Sequence, residues 1–250
     1  MLSLFERSPP ATEIEIAHDG RVYRIALKRV ATSRRYTLRV RAASRDVLLT
    51  MPARGTIKAA REFAQRHAAW IGVRLARLPE AIPFAPGASV PFRGEPHRIV
   101  HRPHTRGVVW IEDGEDGKLL CVAGDAPHAP RRVADFFKRE ARRDLEAAVA
   151  RHAAAAGAKP SRLSLRDTTS RWGSCSSTGA LNFSWRLILA PPFVLDYLAA
   201  HEVAHMLHMN HSPMFWKLTR RLYPDTDRAE LWLKTQGSAL HRFVAAGVDT

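Results

Sequence analysis

His201, Glu202 and His205 stand in the pattern H-E-x-x-H. On an α-helix, residues four apart stack on one face, so the imidazoles of His201 and His205 can meet at one point. Two neutral imidazoles in that arrangement suit a divalent ion, most often zinc. Glu202 lies one residue further round, at the side where a bound water would sit. A divalent ion lowers the pKa of such a water, and a neighbouring carboxylate can take its proton. This is the chemistry of hydrolysis.

A catalytic zinc site needs three protein ligands and one open position. His211 is the first candidate for the third ligand. Asn210, just before it, is of the type that, after Gly, most readily turns left-handed and ends a helix. Ser212 then reads as an N-cap and Pro213 as the first residue of a new helix. The chain is expected to bend at Asn210 and fold His211 back towards the other two. Two alternatives stay open: His208, further along the same face, and Glu230, a carboxylate from a later helix. Tyr197, four residues before His201, shares the ligand face and is a candidate to hydrogen-bond a ligand or the transition state. Upstream, residues 163–166 and 180–184 read as strands around Arg171-Trp172-Gly173-Ser174-Cys175, with Gly179 turning the chain. A sheet edge beside a metal-binding helix can receive a peptide as an added strand. That makes Arg171, Trp172 and Ser174 candidate substrate-side residues. The structural alternative is Trp172 as core and Gly173 as a turn residue.

Taken in order, R-W-G-S-C-S-S at 171–177, N-F-S-W-R-L at 182–187, Asp196-Tyr197, H-E-x-x-H, Asn210-His211-Ser212 and Phe215-Trp216 form a specific run. It resembles the YgjP-like metallopeptidase family, a bacterial zincin group related to the SprT and WLM proteases. The resemblance is close over the last half of the chain and looser before it. It implies His201, His205 and His211 as zinc ligands, Glu202 as the catalytic residue, one Zn2+ per chain, and a peptide or protein substrate.

The bulk composition sets wider bounds. The chain has 250 residues and 46% hydrophobic content, enough for one large domain or two small ones. No apolar run is long enough for a transmembrane helix, and the N-terminus lacks the apolar stretch of a signal peptide. Cys121 and Cys175 sit in different motifs and suggest free thiols, which fits a cytoplasmic protein. Lys and Arg number 39 against 24 acids, a net charge of +15. That balance favours anionic partners such as nucleic acid or nucleotides. The basic residues are scattered, as on a solvated surface. The densest group, Arg131, Arg132, Lys138, Arg139, Arg142 and Arg143, is interleaved with Glu140, Asp144 and Glu146.

These residues must be positioned by surrounding elements. Residues 1–12 read as a loose leader. Alternating strands come next over 13–16, 21–27, 36–40 and 47–51, with Asp19-Gly20 as a hairpin turn. Thr56 caps a helix over about 57–78, with Trp70 in its core face and His67 packed on its apolar stripe. Residues 82–124 are rich in strands and prolines, and a helix begins after Pro130 and stops at Gly157. No internal repeat stands out.

The expected architecture is α+β. A β-rich N-terminal region over 1–126 precedes a zincin-like metallopeptidase domain over 130–250 that carries the H-E-x-x-H helix. The expected function is zinc-dependent hydrolysis of peptides with Glu202 as general base. Two other functions remain open at this point: a metal-dependent nucleotide phosphohydrolase, and a nucleic-acid-associated protein, including a protease that acts on DNA-bound proteins.

Overall fold

The first two strands, β1 (Glu13–His18) and β2 (Arg21–Val30), are joined by Asp19-Gly20 with φ of 48° and 72°. Two positive φ values in a two-residue loop match the twist of the flanking strands, so the hairpin expected from the sequence forms. The computed structural model describes residues 13–41, 46–78, 80–168 and 171–245; the leader read over residues 1–12 lies outside them. Strands β3 (Thr37–Arg41) and β4 (Asp46–Pro52) complete a sheet of order β1-β2-β4-β3, in which β2 and β4 run parallel. Ile14, Ile16, Ile25, Val47, Leu49 and Met51 alternate into its buried face.

The helix expected over 57–78 is two helices, α1 (Ile57–Arg66) and α2 (Ala68–Ala76). The cause is His67. Its Nδ1 lies 2.8 Å from the carbonyl oxygen of Phe63, the acceptor that a continuing helix would give to the His67 main-chain N–H. That N–H turns to Ala64 instead, and the helix breaks. Trp70 is 46% exposed and is not core, because the break rotates α2 and leaves Ile71 facing inward.

A second sheet repeats the topology of the first. The short strand β5 (Ile82–Pro83) precedes it and pairs with Phe243 and Val244; the sheet itself is built from β6 (Ser89–Phe92), β7 (Glu95–Arg102), β8 (Val109–Gly114) and β9 (Gly117–Ala123) in the order β6-β7-β9-β8. The central pair β7–β9 is again parallel and the outer pairs antiparallel. A helix again comes next, α3 (Ala129–Ala156), closed by Gly157 at φ 66°. The repetition is one of topology, and no shared motif announces it in the sequence.

The chain divides into two compact units, Met1–Pro79 and Glu80–Thr250. The boundary expected from the sequence, at 126–130, falls instead before the second sheet. Core packing explains the difference. Val90, Phe92, Ile99, Leu120 and Val122 of the second sheet share one hydrophobic core with Phe136 and Phe137 of α3 and with the helix that carries the histidine motif. Burying each such side chain fully contributes about 1.5–3 kcal/mol, so this sheet cannot be separated from α3 and the core they share.

The remaining elements of the second unit are β10 (Arg162–Arg166), β11 (Gly173–Cys175), β12 (Ala180–Ser184), α4 (Pro192–His205), α5 (Pro213–Leu222), α6 (Thr226–Gln236) and β13 (Phe243–Val244). Strands β10, β12 and β11 form a three-stranded sheet in that order, with β11 at its edge. Three of the six basic residues grouped on α3 are matched by acids: Arg143 with Glu140 at 2.6 Å, Arg142 with Glu146 at 3.1 Å and Lys138 with Asp135 at 3.2 Å. Its face is therefore mixed in sign. Among the described residues no helix is long and apolar enough to cross a membrane.

Candidate metal centre

α4 is apolar almost all round, and Val194, Leu198, Ala199, Ala200, Val203 and Ala204 bury it on every side but one. His201 and His205 occupy the remaining side. The helix stops at His205, earlier than expected. The Met206 N–H bonds back to Val203 at 3.0 Å and the Leu207 N–H to Ala204 at 3.1 Å, both three residues back, which winds the last turn tight. Asn210 does not take a positive φ, so the bend comes from this tightened turn and not from a left-handed residue. The restart matches the sequence. The Ser212 side chain accepts from the Phe215 N–H at 3.3 Å, and Pro213 opens α5.

The turn brings His211 back to the helix. One ligand atom from each of His201, His205 and His211 lies within 4.8 Å of the other two. His201 Nε2 and His211 Nε2 are 3.3 Å apart. Phe215 and Trp216 wall the cluster: the His205 ring stacks on Phe215 at 4.4 Å, and the His211 ring on Trp216 at 5.6 Å.

The hydrogen bonds fix which nitrogens are bare. Tyr197 donates its hydroxyl to Glu230 Oε1 at 2.8 Å, because a carboxylate only accepts. The Tyr197 oxygen is then left to accept from His201 Nδ1 at 3.1 Å. His205 Nδ1 donates to the His208 carbonyl at 3.1 Å. Both helix imidazoles thus carry their proton on Nδ1 and hold Nε2 free to ligate. Burial, and then the charges of His205 and His211, push His201 down to about 3, and burial also lowers His205. Neutral imidazoles are what a metal requires.

These contacts sort the sequence candidates. Glu230 holds Tyr197 and His208 contributes its carbonyl; neither side chain is in the triad. Tyr197 is 2% exposed, with its hydroxyl used twice, so it positions His201 and has no face for a substrate. Burial, and then Glu230, raise its pKa. Removing this support has a measurable cost. Tyr197→Phe and Glu230→Ala are expected to weaken zinc affinity by about 10–100-fold, as partners of metal-bound histidines do, with Glu230→Gln in between. Competition with a chromophoric chelator measures this, and affinities within twofold of wild type would refute it.

Glu202 is 4% exposed and its Oε2 has no hydrogen-bond partner among the described residues. Burial raises its pKa to about 8, opposed by the charge of Arg171. A buried, unpartnered carboxylate oxygen next in the helix to His201 of a three-histidine cluster is a costly arrangement for a structure alone. It fits a group held for a cation and its ligands.

β11 runs beside this carboxylate. A Cβ added at Gly173 would lie 2.8 Å from both Cγ and Cδ of Glu202. Gly173 is therefore required by close approach and not by a turn. At the two ends of β11, Trp172 O accepts from the Ser184 N–H at 2.8 Å, and the Ser176 N–H donates to Ala180 O at 3.0 Å. Alternation along the ladder leaves the main-chain groups of Gly173 and Cys175 facing the open edge. Ser174 and Arg171 line a cleft on this side. Trp172 does not. Its indole stacks on His241 at 5.1 Å and lies against Gly237, so it packs the turn after α6. Cys175 faces Glu202, and its Sγ bonds the Ser176 carbonyl at 3.3 Å, outside the triad.

One anchor of this loop was not read from the sequence. Arg186 is 3% exposed, paired with Asp167 through Nε at 2.7 Å and Nη2 at 3.1 Å. Its Nη1 donates to the carbonyls of Leu240 at 3.1 Å and Phe243 at 2.6 Å. A lone Arg inside W-R-L-I-L was the available signal: a cation in an apolar run must find acceptors when buried.

None of the curated proteins matches the chain. Among solved structures it is similar to the metallopeptidase zymogen of Pyrococcus abyssi abylysin, at 17% identity over 37% of this chain and 95% of that one, with a TM-score of 0.34. A family model described as YgjP-like, metallopeptidase domain, matches residues 34–236. This match spans most of both units, and the chain belongs to the YgjP-like metallopeptidase family.

Proposed function

We propose that the protein is a zinc-dependent endo- or exopeptidase whose ligands are His201, His205 and His211 and whose general base is Glu202. The observation that carries this reading is Glu202, a buried carboxylate with an unpartnered Oε2, packed against Gly173 and next in α4 to His201 of the three-histidine cluster. When bound, zinc would supply Lewis acidity and make water acidic enough to ionise near neutral pH.

The chain's own groups do the rest. The free main-chain N–H and C=O groups of Gly173 and Cys175 would pair with an extended peptide, as an added strand on β11. That pairing sets the scissile amide over Glu202. Glu202 Oε2 takes one proton from the attacking water as its oxygen bonds to the carbonyl carbon. It returns that proton to the amide nitrogen as the C–N bond breaks. Tyr197, held by Glu230, keeps the His201 ring at a fixed angle throughout. Both cysteines are free, which suits a reducing compartment such as the cytoplasm.

The test combines metal content with activity on unstructured polypeptides and on nucleotides. Wild type is expected to hold one zinc per chain and cut peptides, to lose cutting on chelation and to regain it with zinc. His211→Ala should lose most of its zinc. Nucleotide hydrolysis without peptide cleavage would overturn the reading in favour of a phosphohydrolase. Zinc retained in full by His211→Ala would overturn the ligand set.

A further inference from the structure

A cleft of about 340 Å³ adjoins the candidate site, lined by Arg166, Thr168, Arg171, Gly173, Ser174 and Asn182. Its position is set by strand register. Ser164 and Arg166 on β10 pair in parallel with Asn182 and Ser184 on β12, and Ser174 on β11 lies opposite Asn182. Residues paired across a sheet share a face, so Arg166, Asn182 and Ser174 point to one side. Leu163, Leu165, Leu181 and Phe183 belong to the other side, in or against the core. The open face is polar where the cleft forms.

Two features tie the cleft to the catalytic carboxylate. Gly173 belongs to its wall and touches Glu202. Arg171 also lines it, and its charge reaches Glu202. The cleft also has an unbalanced charge. Among the described residues neither Arg166 nor Arg171 pairs with a carboxylate. The acid nearest in sequence, Asp167, is committed to Arg186 through two hydrogen bonds. Thr168 donates its hydroxyl to the Arg171 carbonyl at 2.8 Å, which ties these two lining residues together. Asn182, Ser174 and the two arginines are all able to donate, and no lining residue carries a negative charge.

A peptide added to the edge of β11 would turn alternate side chains to the two faces of the sheet. Those on the polar face come to lie over Ser174, within a long side chain's reach of the two arginines. We propose that this cleft is a specificity subsite for a carboxylate of the substrate peptide, held by Arg171 and Arg166 with Ser174 and Asn182 as further donors. The proposal rests on the peptidase reading for its geometry and names the substrate class: peptides with an acidic group near the scissile bond. A guanidinium–carboxylate pair in such a cleft gives a preference of about 10–100-fold over the neutral isostere.

The experiment uses the full chain and matched peptides. Each carries Glu or Gln at one position on either side of the scissile bond, and each is made with a free or an amidated C-terminus. Two readouts are taken: kcat/KM with zinc-loaded wild type, Arg166→Gln and Arg171→Gln, and binding of fluorescent peptides to Glu202→Gln with and without the same arginine changes. The expected result is a 10–100-fold preference for the acidic peptide at one position, which falls to within about threefold when either arginine is neutralised. If the preference tracks the free C-terminus instead of Glu, the carboxylate subsite stands and its natural ligand is the chain end. Cleavage with no acid preference, or with one that survives both arginine changes, overturns the subsite and leaves the peptidase reading intact. Acid-selective, arginine-dependent binding without cleavage by wild type supports the subsite and overturns the peptidase reading.

Discussion

Glu202→Gln is expected to lower kcat/KM for peptide hydrolysis by about 10²–10⁴-fold while the zinc content stays at the wild-type level. Gln keeps the size and one acceptor oxygen but cannot take a proton from water. The three histidines are untouched: His201 is held by Tyr197, His205 by the His208 carbonyl, and His211 by stacking on Trp216. Metal occupancy and chemistry therefore separate in this variant. It should also be at least as stable as wild type without metal, because a buried carboxylate oxygen with no partner is replaced by an uncharged amide. Zinc analysis, steady-state kinetics and thermal melting of the metal-free chain check the three statements. Activity within tenfold of wild type would remove Glu202 from its assigned role.

Gly173→Ala is the second large effect and the less obvious one. The new methyl would sit 2.8 Å from Cγ and Cδ of Glu202, too close for either to stay in place. Glu202 is buried on α4, which is fixed in the core, so relief comes from rotation of the carboxylate or retreat of β11. Either change separates the general base from a peptide lying on the strand. Misplacement by about 1 Å costs on the order of 10²-fold in rate, and overpacking costs about 1–3 kcal/mol of stability. The expected result is a kcat lowered by about 10²-fold with zinc content unchanged. Rates within threefold of wild type would show that the strand and the carboxylate are not coupled.

The parts legible in the sequence were those set by local chemistry. H-E-x-x-H on an apolar helix, Ser212-Pro213 as a cap, the Asp19-Gly20 turn and Gly157 as a stop all depend on near neighbours in the chain. What escaped depends on distant partners. Glu230 reads as a ligand candidate because nothing near it in sequence shows that Tyr197, 33 positions earlier, occupies it. Gly173 looks like a turn residue because nothing nearby shows that Glu202 lies against it. The break at His67 turns on one side chain competing for one carbonyl, which periodicity does not register. The domain boundary was misplaced for a related reason. The second sheet repeats the first in topology, yet its apolar residues share a core with α3 and the elements after it, and a pattern of strands does not say what covers them.

Arg186 ties the order of synthesis to the assembly of the site. Its guanidinium is buried in the middle of the second unit, but two of its acceptors, the carbonyls of Leu240 and Phe243, are more than fifty residues further on. Until those residues have left the ribosome, the cation has no full set of partners and Asp167, paired with it, has no far anchor. A nascent chain can already display all three histidines and Glu202 without the strand that would present a peptide to them. These two acceptors lie beyond residue 236, where the family match ends, so the matched block and the unit that must fold together are not the same stretch of chain. For a member of a metallopeptidase family, a strand beside the site that is anchored only by so late a turn would complete its assembly after most of the chain has been made.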